Sequence, residues 1–213
     1  MRRSLLPAAL LALAACQRPL PPVTAAKPAA IDARAPELYV VRWYTTKGPI
    51  DMMVHRAWAP RGADRLYGLV RYGYYDGARF FRAVPNFVVQ FGIAADSATT
   101  ATMRERKLAD DSVRMENVRG TLTFATAGPN TRTTQLFINL RDNRRLDSLG
   151  FAPLGRVIDG MRVVDSLYLG YGEGPPRGRG PSQDRITNEG EAYLAREFPL
   201  LDKIDSARVV RRY

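Results

Sequence analysis

The side chains that most often carry catalysis are scarce in this 213-residue chain. It has one histidine, His55, and one cysteine, Cys16. That leaves no His/Cys metal cluster, and neither a Ser–His nor a Cys–His nucleophile pair. His55 sits in a strand-like run between Val54 and Arg56, at a position that reads as exposed. The carboxylates are dispersed, and no pair of them points to acid–base hydrolysis. Gly170 to Pro181 (GYGEGPPRGRGP) lacks the Gly-Lys-Ser/Thr ending of a phosphate loop and reads as flexible. No metal and no cofactor are expected, and any reaction here is expected to avoid acid–base and metal chemistry. Two segments carry a sharper signal. One is Phe80 to Gly92 (FFRAVPNFVVQFG), and the other is Gly120 to Thr131 (GTLTFATAGPNT), continuing to Gln135-Leu136-Phe137-Ile138.

The elements that must position these segments are mostly strands. Leu38 to Thr46 and Ile50 to His55 are rich in β-branched and aromatic residues and flank Lys47-Gly48-Pro49, a hairpin signal. Further strand-like runs cover 78–84, 87–91, 120–125, 136–140 and 154–157. Ala63, Leu66, Tyr67 and Val70 recur at helical spacing between Pro60 and Gly73 and predict an amphipathic helix. A second helix is expected over 160–167 with Asp159 as its N-cap. A third is expected over 189–197, where Asn188 and Glu191 have capping-box spacing and Pro199 stops it. Many short strands with few helices argue for an all-β barrel or sandwich. Leu200 to Val210 reads either as an edge strand or as a segment packed on the barrel.

Both chemistry-bearing segments resemble the core motifs of the cyclophilins, in the same order along the chain. The first is similar to the family's F-H-R-x-x-P-x-F-x-x-Q-x-G, the second to its A-N-A-G-P-N-T and S-Q-F-F-I. Phe151 to Val157 (FAPLGRV) is similar to the family's next strand, and Asp159-Gly160-Met161 to the start of its second helix. The likeness runs from about 38 to 169. It implies an eight-stranded antiparallel β-barrel capped by two helices, with its site on the outer face, and peptidyl-prolyl cis-trans isomerase activity. Arg82 then falls on the catalytic arginine and Gln90 on the glutamine that holds it. Phe87, Val88, Phe137 and Leu146 match positions of the proline pocket, and Leu136 stands at the first phenylalanine of Q-F-F. Ala125 and Thr126 lie where backbone groups pair with the peptide, and Gln135 matches a further site glutamine. Phe81 departs from the pattern, replacing the family's histidine and giving a more apolar wall. Near Arg145 and Leu146 the family's tryptophan is absent.

The N-terminus adds a location. Met1-Arg2-Arg3, an apolar run from Leu5 to Ala15 and small residues at its end read as a secretory signal, too short to span a bilayer. Leu13-Ala14-Ala15-Cys16 resembles the bacterial lipobox, which implies a signal over 1–15 and acyl chains on Cys16. Several such chains anchor a protein firmly. Gln17, by resemblance to enterobacterial lipoproteins, favours the periplasmic face of the outer membrane. Residues 16–36 are rich in Pro and Ala and read as a semi-extended tether. The expected domain is 37–170, and residues 171–213 are left as a loop, a short helix and a C-terminal segment. The net charge of +11 is spread without a basic run, so no nucleic-acid partner is expected. The expected protein is a monomer whose partners are proline-containing peptides or unfolded exported proteins. Three functions are thus distinguished: an isomerase assisting the folding of exported proteins, a catalytically weak proline-peptide-binding or chaperone module, and a structural envelope lipoprotein.

Overall fold

The computed structural model describes residues 20–213, so Cys16 and the signal-like segment lie outside the described residues. The frame is one antiparallel sheet of eight strands: β1 (Leu38–Thr45), β2 (Gly48–His55), β3 (Arg82–Val84), β4 (Val88–Phe91), β5 (Thr121–Phe124), β6 (Leu136–Asn139), β7 (Pro153–Asp159) and β8 (Ile204–Arg212). Their spatial order is β3-β4-β6-β5-β7-β2-β1-β8. The sheet curls until its two ends meet. Phe80 N–H donates to Asp202 O at 3.0 Å, and Ile204 N–H to Ala78 O at 2.8 Å. Strand alternation sends Tyr39, Val41 and Trp43 of β1, Ile50, Met52 and Val54 of β2, and Leu136 and Ile138 of β6 into a single core. Six helices are described: α1 (Pro28–Ile31), α2 (Pro60–Arg71), α3 (Ser97–Arg104), α4 (Met161–Asp165), α5 (Gln183–Glu189) and α6 (Glu191–Glu197). α2 adds Ala63, Leu66, Tyr67 and Val70 to the core, the stripe its spacing predicts, and Leu69 beside them.

The eight-stranded fold agrees with expectation, and several boundaries differ from it. The last strand, β8, pairs along β1 from Tyr39↔Arg212 to Thr45↔Ile204, so the sheet is not complete at residue 170. Ile204 and Ala207 belong to the core, and of the two readings of 200–210 the edge strand is the one formed. The proline-rich stretch from residue 20 onward is not a free tether. Val23, Ala26, Ile31 and Ala35 are buried in the main core, and the buried Arg65 donates to Asp32 through Nε and, at 2.9 Å, through Nη2. Small apolar side chains and one well-placed carboxylate are enough to dock it.

The remaining helices differ from expectation. α3 is Thr/Ala-rich, without an apolar stripe to predict it, and starts where the Asp96 carboxylate accepts the Thr99 N–H at 2.7 Å. The helix expected over 189–197 is α6, and an unexpected helix, α5, precedes it across Gly190, so Asn188 lies inside α5 and does not cap. There the chain hugs residue 95. A Cβ on Gly190 would stand 2.5 Å from Ala95 O, and Glu191 N–H donates to that same oxygen at 2.9 Å. Asp159 accepts the Gly160 N–H at 2.8 Å, while Gly160 itself holds the N-cap position of α4.

Candidate active site

Arg82 of β3 stands opposite Gln90 of β4, and Gln90 stands opposite Phe137 of β6. Residues opposed across antiparallel strands share a face, so the three form a row on the outer side of the sheet. The turn joining β3 to β4 puts Asn86 at φ +56°, a conformation asparagine tolerates better than most residues. It delivers Phe87, whose N–H donates to Val84 O at 3.1 Å and whose carbonyl accepts from Asn143 Nδ2 at 2.9 Å. Val88, Phe137 and Leu146 form an apolar cluster separate from the core, with Phe87, Ala125 and Phe151 packed against it. Phe137 and Phe151 meet edge to face, their ring centres 5.8 Å apart. These side chains line a cavity of about 730 Å³ with Arg82, Gln90 and Gln135 at its polar side.

The polar side is a directed chain of hydrogen bonds. Arg82 Nη1 donates to Gln90 Oε1 at 2.9 Å, and Gln90 Nε2 donates to Gln135 Oε1 at 2.7 Å. The other edge of the guanidinium meets Glu173: Nε donates to Oε1 at 2.6 Å and Nη2 to Oε2 at 2.7 Å. These donated bonds hold the Glu173 carboxyl below the usual carboxylate range, against a partial burial that acts in the opposite direction. The Arg82 guanidinium also lies over the Phe87 ring, 5.7 Å from its centre, and Arg145 covers the same ring at 4.9 Å. Arg82 is therefore held on three sides while still lining the cavity.

Of the expected site residues, Arg82, Phe87, Val88, Gln90, Ala125, Thr126, Gln135, Phe137 and Leu146 all line this cavity. Leu136 does not. It is fully buried in the barrel core, because one step along β6 turns a side chain to the opposite face. Phe81 is no cavity wall either. It lies 1 % exposed in a second apolar cluster with Ile93, Ile186, Tyr193, Leu194, Phe198 and Leu201, beneath α5 and α6. A side chain covered by that layer has no water to face, which suits phenylalanine. Ala125 commits its N–H to Gln135 O at 2.9 Å, so a peptide could pair there only with its carbonyl. His55 is half-buried and stacks on Trp58, ring centres 4.2 Å apart, and lines no part of the cavity. Burial, and secondarily Arg156, lowers its pKa from 6.5.

Among the cavity residues not expected from the sequence, three bear on the chemistry: Phe151, Arg145 and Glu173. Phe151 stands at the start of a strand motif, and its aromatic type beside Leu146 is a usable signal. Arg145 is one arginine among many. Glu173 lies 91 residues beyond Arg82 in a glycine- and proline-rich loop, where no spacing points to it.

An apolar recess flanked by a fixed guanidinium, on the outside of a curled eight-stranded antiparallel sheet, is the arrangement that the cyclophilin resemblance implies. Comparison with known proteins agrees. Residues 40–189 match the family model described as cyclophilin type peptidyl-prolyl cis-trans isomerase/CLD. Peptidyl-prolyl cis-trans isomerase A of Dickeya dadantii is 35 % identical over 175 residues, 79 % of this chain and 83 % of the relative. A peptidyl-prolyl cis-trans isomerase of Acinetobacter baylyi is 34 % identical over 146 residues, 64 % of this chain and 76 % of its own. The crystal structure of a Cryptosporidium parvum cyclophilin type isomerase superposes with a TM-score of 0.60 at 21 % identity, covering 83 % of this chain and 99 % of that one. A second structure of that protein, in the presence of the dipeptide Ala-Pro, gives 0.58. This chain belongs to the cyclophilin-type peptidyl-prolyl cis-trans isomerases.

Proposed function

We propose that the isomerase takes proline-containing segments of unfolded exported proteins into the outer-face cavity and twists the X-Pro amide with the help of Arg82. The observation that carries this reading is the hydrogen-bonded row Arg82–Gln90–Gln135 beside the Phe87–Val88–Phe137–Leu146 recess. A related fold has been crystallised in the presence of Ala-Pro, which supports a prolyl ligand for the recess. The physics is direct. Resonance gives the peptide amide a barrier of roughly 18–20 kcal/mol. Twisting the bond pyramidalises the nitrogen and returns its lone pair. A guanidinium aimed at that lone pair favours the twisted amide over the planar one, the condition for catalysis. The apolar recess grips the ring while the carbonyl side rotates. The Gln135 amide nitrogen and the Ala125 carbonyl are the polar groups that would hold the peptide backbone.

The test compares Arg82→Ala, Arg82→Lys and the unaltered chain on one proline peptide, with binding and melting measured alongside. Arg82→Ala should lose about 10²–10³ in kcat/KM, the usual cost of a transition-state donor, at nearly constant affinity and melting temperature. Arg82→Lys should recover only part, because a point ammonium cannot reproduce a planar fork. The unaltered profile should be nearly flat between about pH 6 and 8, since the only histidine titrates outside the cavity. Full turnover in Arg82→Ala would refute the mechanism. An unaltered chain that binds the peptide without turning it over would instead mark a binding module.

The signal-like N-terminus and the lipobox-like residues ending at Cys16 support export and lipid anchoring in a bacterial envelope, with the periplasmic face of the outer membrane favoured by Gln17. Among the described residues no helix is long and apolar enough to cross a membrane.

A further inference from the structure

The segment from Glu173 to Pro181 is a folded strap that walls the cavity. Gly180 N–H donates to Glu173 O at 2.9 Å, and both Arg177 N–H and Gly178 N–H donate to Gly174 O at 3.1 Å. The backbones approach so closely that a Cβ on Gly178 would collide with Glu173 O. Tyr171, just before the strap, packs edge to face on Phe198 with ring centres 5.0 Å apart. The strap is thus tied down at its root and cross-bonded within itself. What it presents to the sheet is one carboxylate, Glu173, gripping the Nε and Nη2 edge of Arg82.

We propose that Glu173 is a positioning residue of the isomerase, which orients the Arg82 guanidinium for the twisting amide. This rests on the role proposed above for Arg82. A guanidinium has five N–H donors in a fixed fork. Glu173 takes two and Gln90 a third, so one N–H remains on each terminal nitrogen for the bound peptide. Without Glu173 a long side chain, rich in rotamers, is held by a single neutral bond. A donor already in place needs no reorganisation as the bond twists. The opposite role, a carboxylate that blocks the arginine, fits the structure less well. The cavity stays open at about 730 Å³ with the pair formed, and the strap is rigidly built, not poised to leave.

The experiment is a double-mutant cycle on the full chain, with Glu173→Ala, Arg82→Ala and both together, plus Glu173→Gln and Gly178→Ala. Each is assayed for kcat/KM and peptide affinity on one proline peptide. Glu173→Ala should lower kcat/KM by roughly ten- to a hundredfold, the scale of a misplaced catalytic group, at nearly unchanged affinity. Glu173→Gln, which keeps one acceptor, should fall between. Gly178→Ala should mimic Glu173→Ala by displacing the strap without touching the carboxylate. In the Arg82→Ala background, Glu173→Ala should have no further effect. Wild-type or faster turnover in Glu173→Ala overturns the proposal, as does an equal loss when Arg82 is already absent. Failure of the isomerase mechanism itself would show separately, as full activity in Arg82→Ala alone or as an inactive unaltered chain.

Discussion

Neighbouring side chains on β6 point to opposite sides of the sheet, and this divides binding from stability between two adjacent residues. Leu136→Ala should empty part of the core and cost about 2–5 kcal/mol. Thermal melting should register that loss, while the folded fraction keeps near-normal kcat/KM. Phe137→Ala should raise KM by roughly tenfold through the opened pocket floor. A Leu136→Ala protein with unchanged melting but weakened peptide binding would reverse this assignment. Arg82, Phe87, Val88, Gln90, Gln135 and Phe137 are legible in the sequence, because they stand at fixed offsets within two short motifs that resemble a known family. Leu136 belongs to the site by motif position alone, and the period of two along a strand sends it to the core. Glu173 has no local signature, since only the folded strap brings it to Arg82.

Among the elements, the strands announce themselves by runs of β-branched and aromatic residues and the longest helix by its apolar stripe. α3 lacks such a stripe, and of the pair α5 and α6 only the second is marked in the sequence, α5 being short with a single buried apolar residue, Ile186. The C-terminal elements turn out to be structural necessities. Ile186, Tyr193, Leu194, Phe198 and Leu201 bury the outer-face Phe81, and β8 contributes Ile204 and Ala207 to the core. Each large apolar side chain buried adds about 1.5–3 kcal/mol, and together they rival the roughly 5–15 kcal/mol that holds a typical domain folded. A chain ending after Leu169, near the limit of the motif likeness, should therefore show no cooperative thermal transition and no turnover. Cooperative melting of that truncated chain, read by circular dichroism, would show that the seven-strand remainder folds alone.

For the molecule as a whole, the docked N-terminal segment changes how an anchor would act. Val23 is already buried against the barrel, so only residues 17–22 separate it from Cys16. At about 3.6 Å per residue that span reaches no more than about 25 Å. A lipid on Cys16 would hold the domain close to the bilayer surface. Cys16→Ser should release an otherwise membrane-bound protein into the soluble fraction, or stall it with its signal uncut. Cell fractionation with a mass measurement decides this. A Cys16→Ser protein that has lost residues 1–15 and still sediments with membranes would remove the anchor. The surplus of positive charge is then the remaining source of membrane attraction, and washing with salt would reveal it.

The pairing of β1 with β8 also has a consequence in time. Thr46 bonds to Asp202 across 156 residues of chain, so the first strand made must wait for the last before it has both neighbours. Contacts this distant in sequence slow folding, because the loop between them must be closed before they contribute any stability. A nascent chain emerging from the ribosome therefore cannot complete its sheet until synthesis is nearly finished. On the export route proposed above, that delay would keep the chain threadable, the state a translocation channel needs.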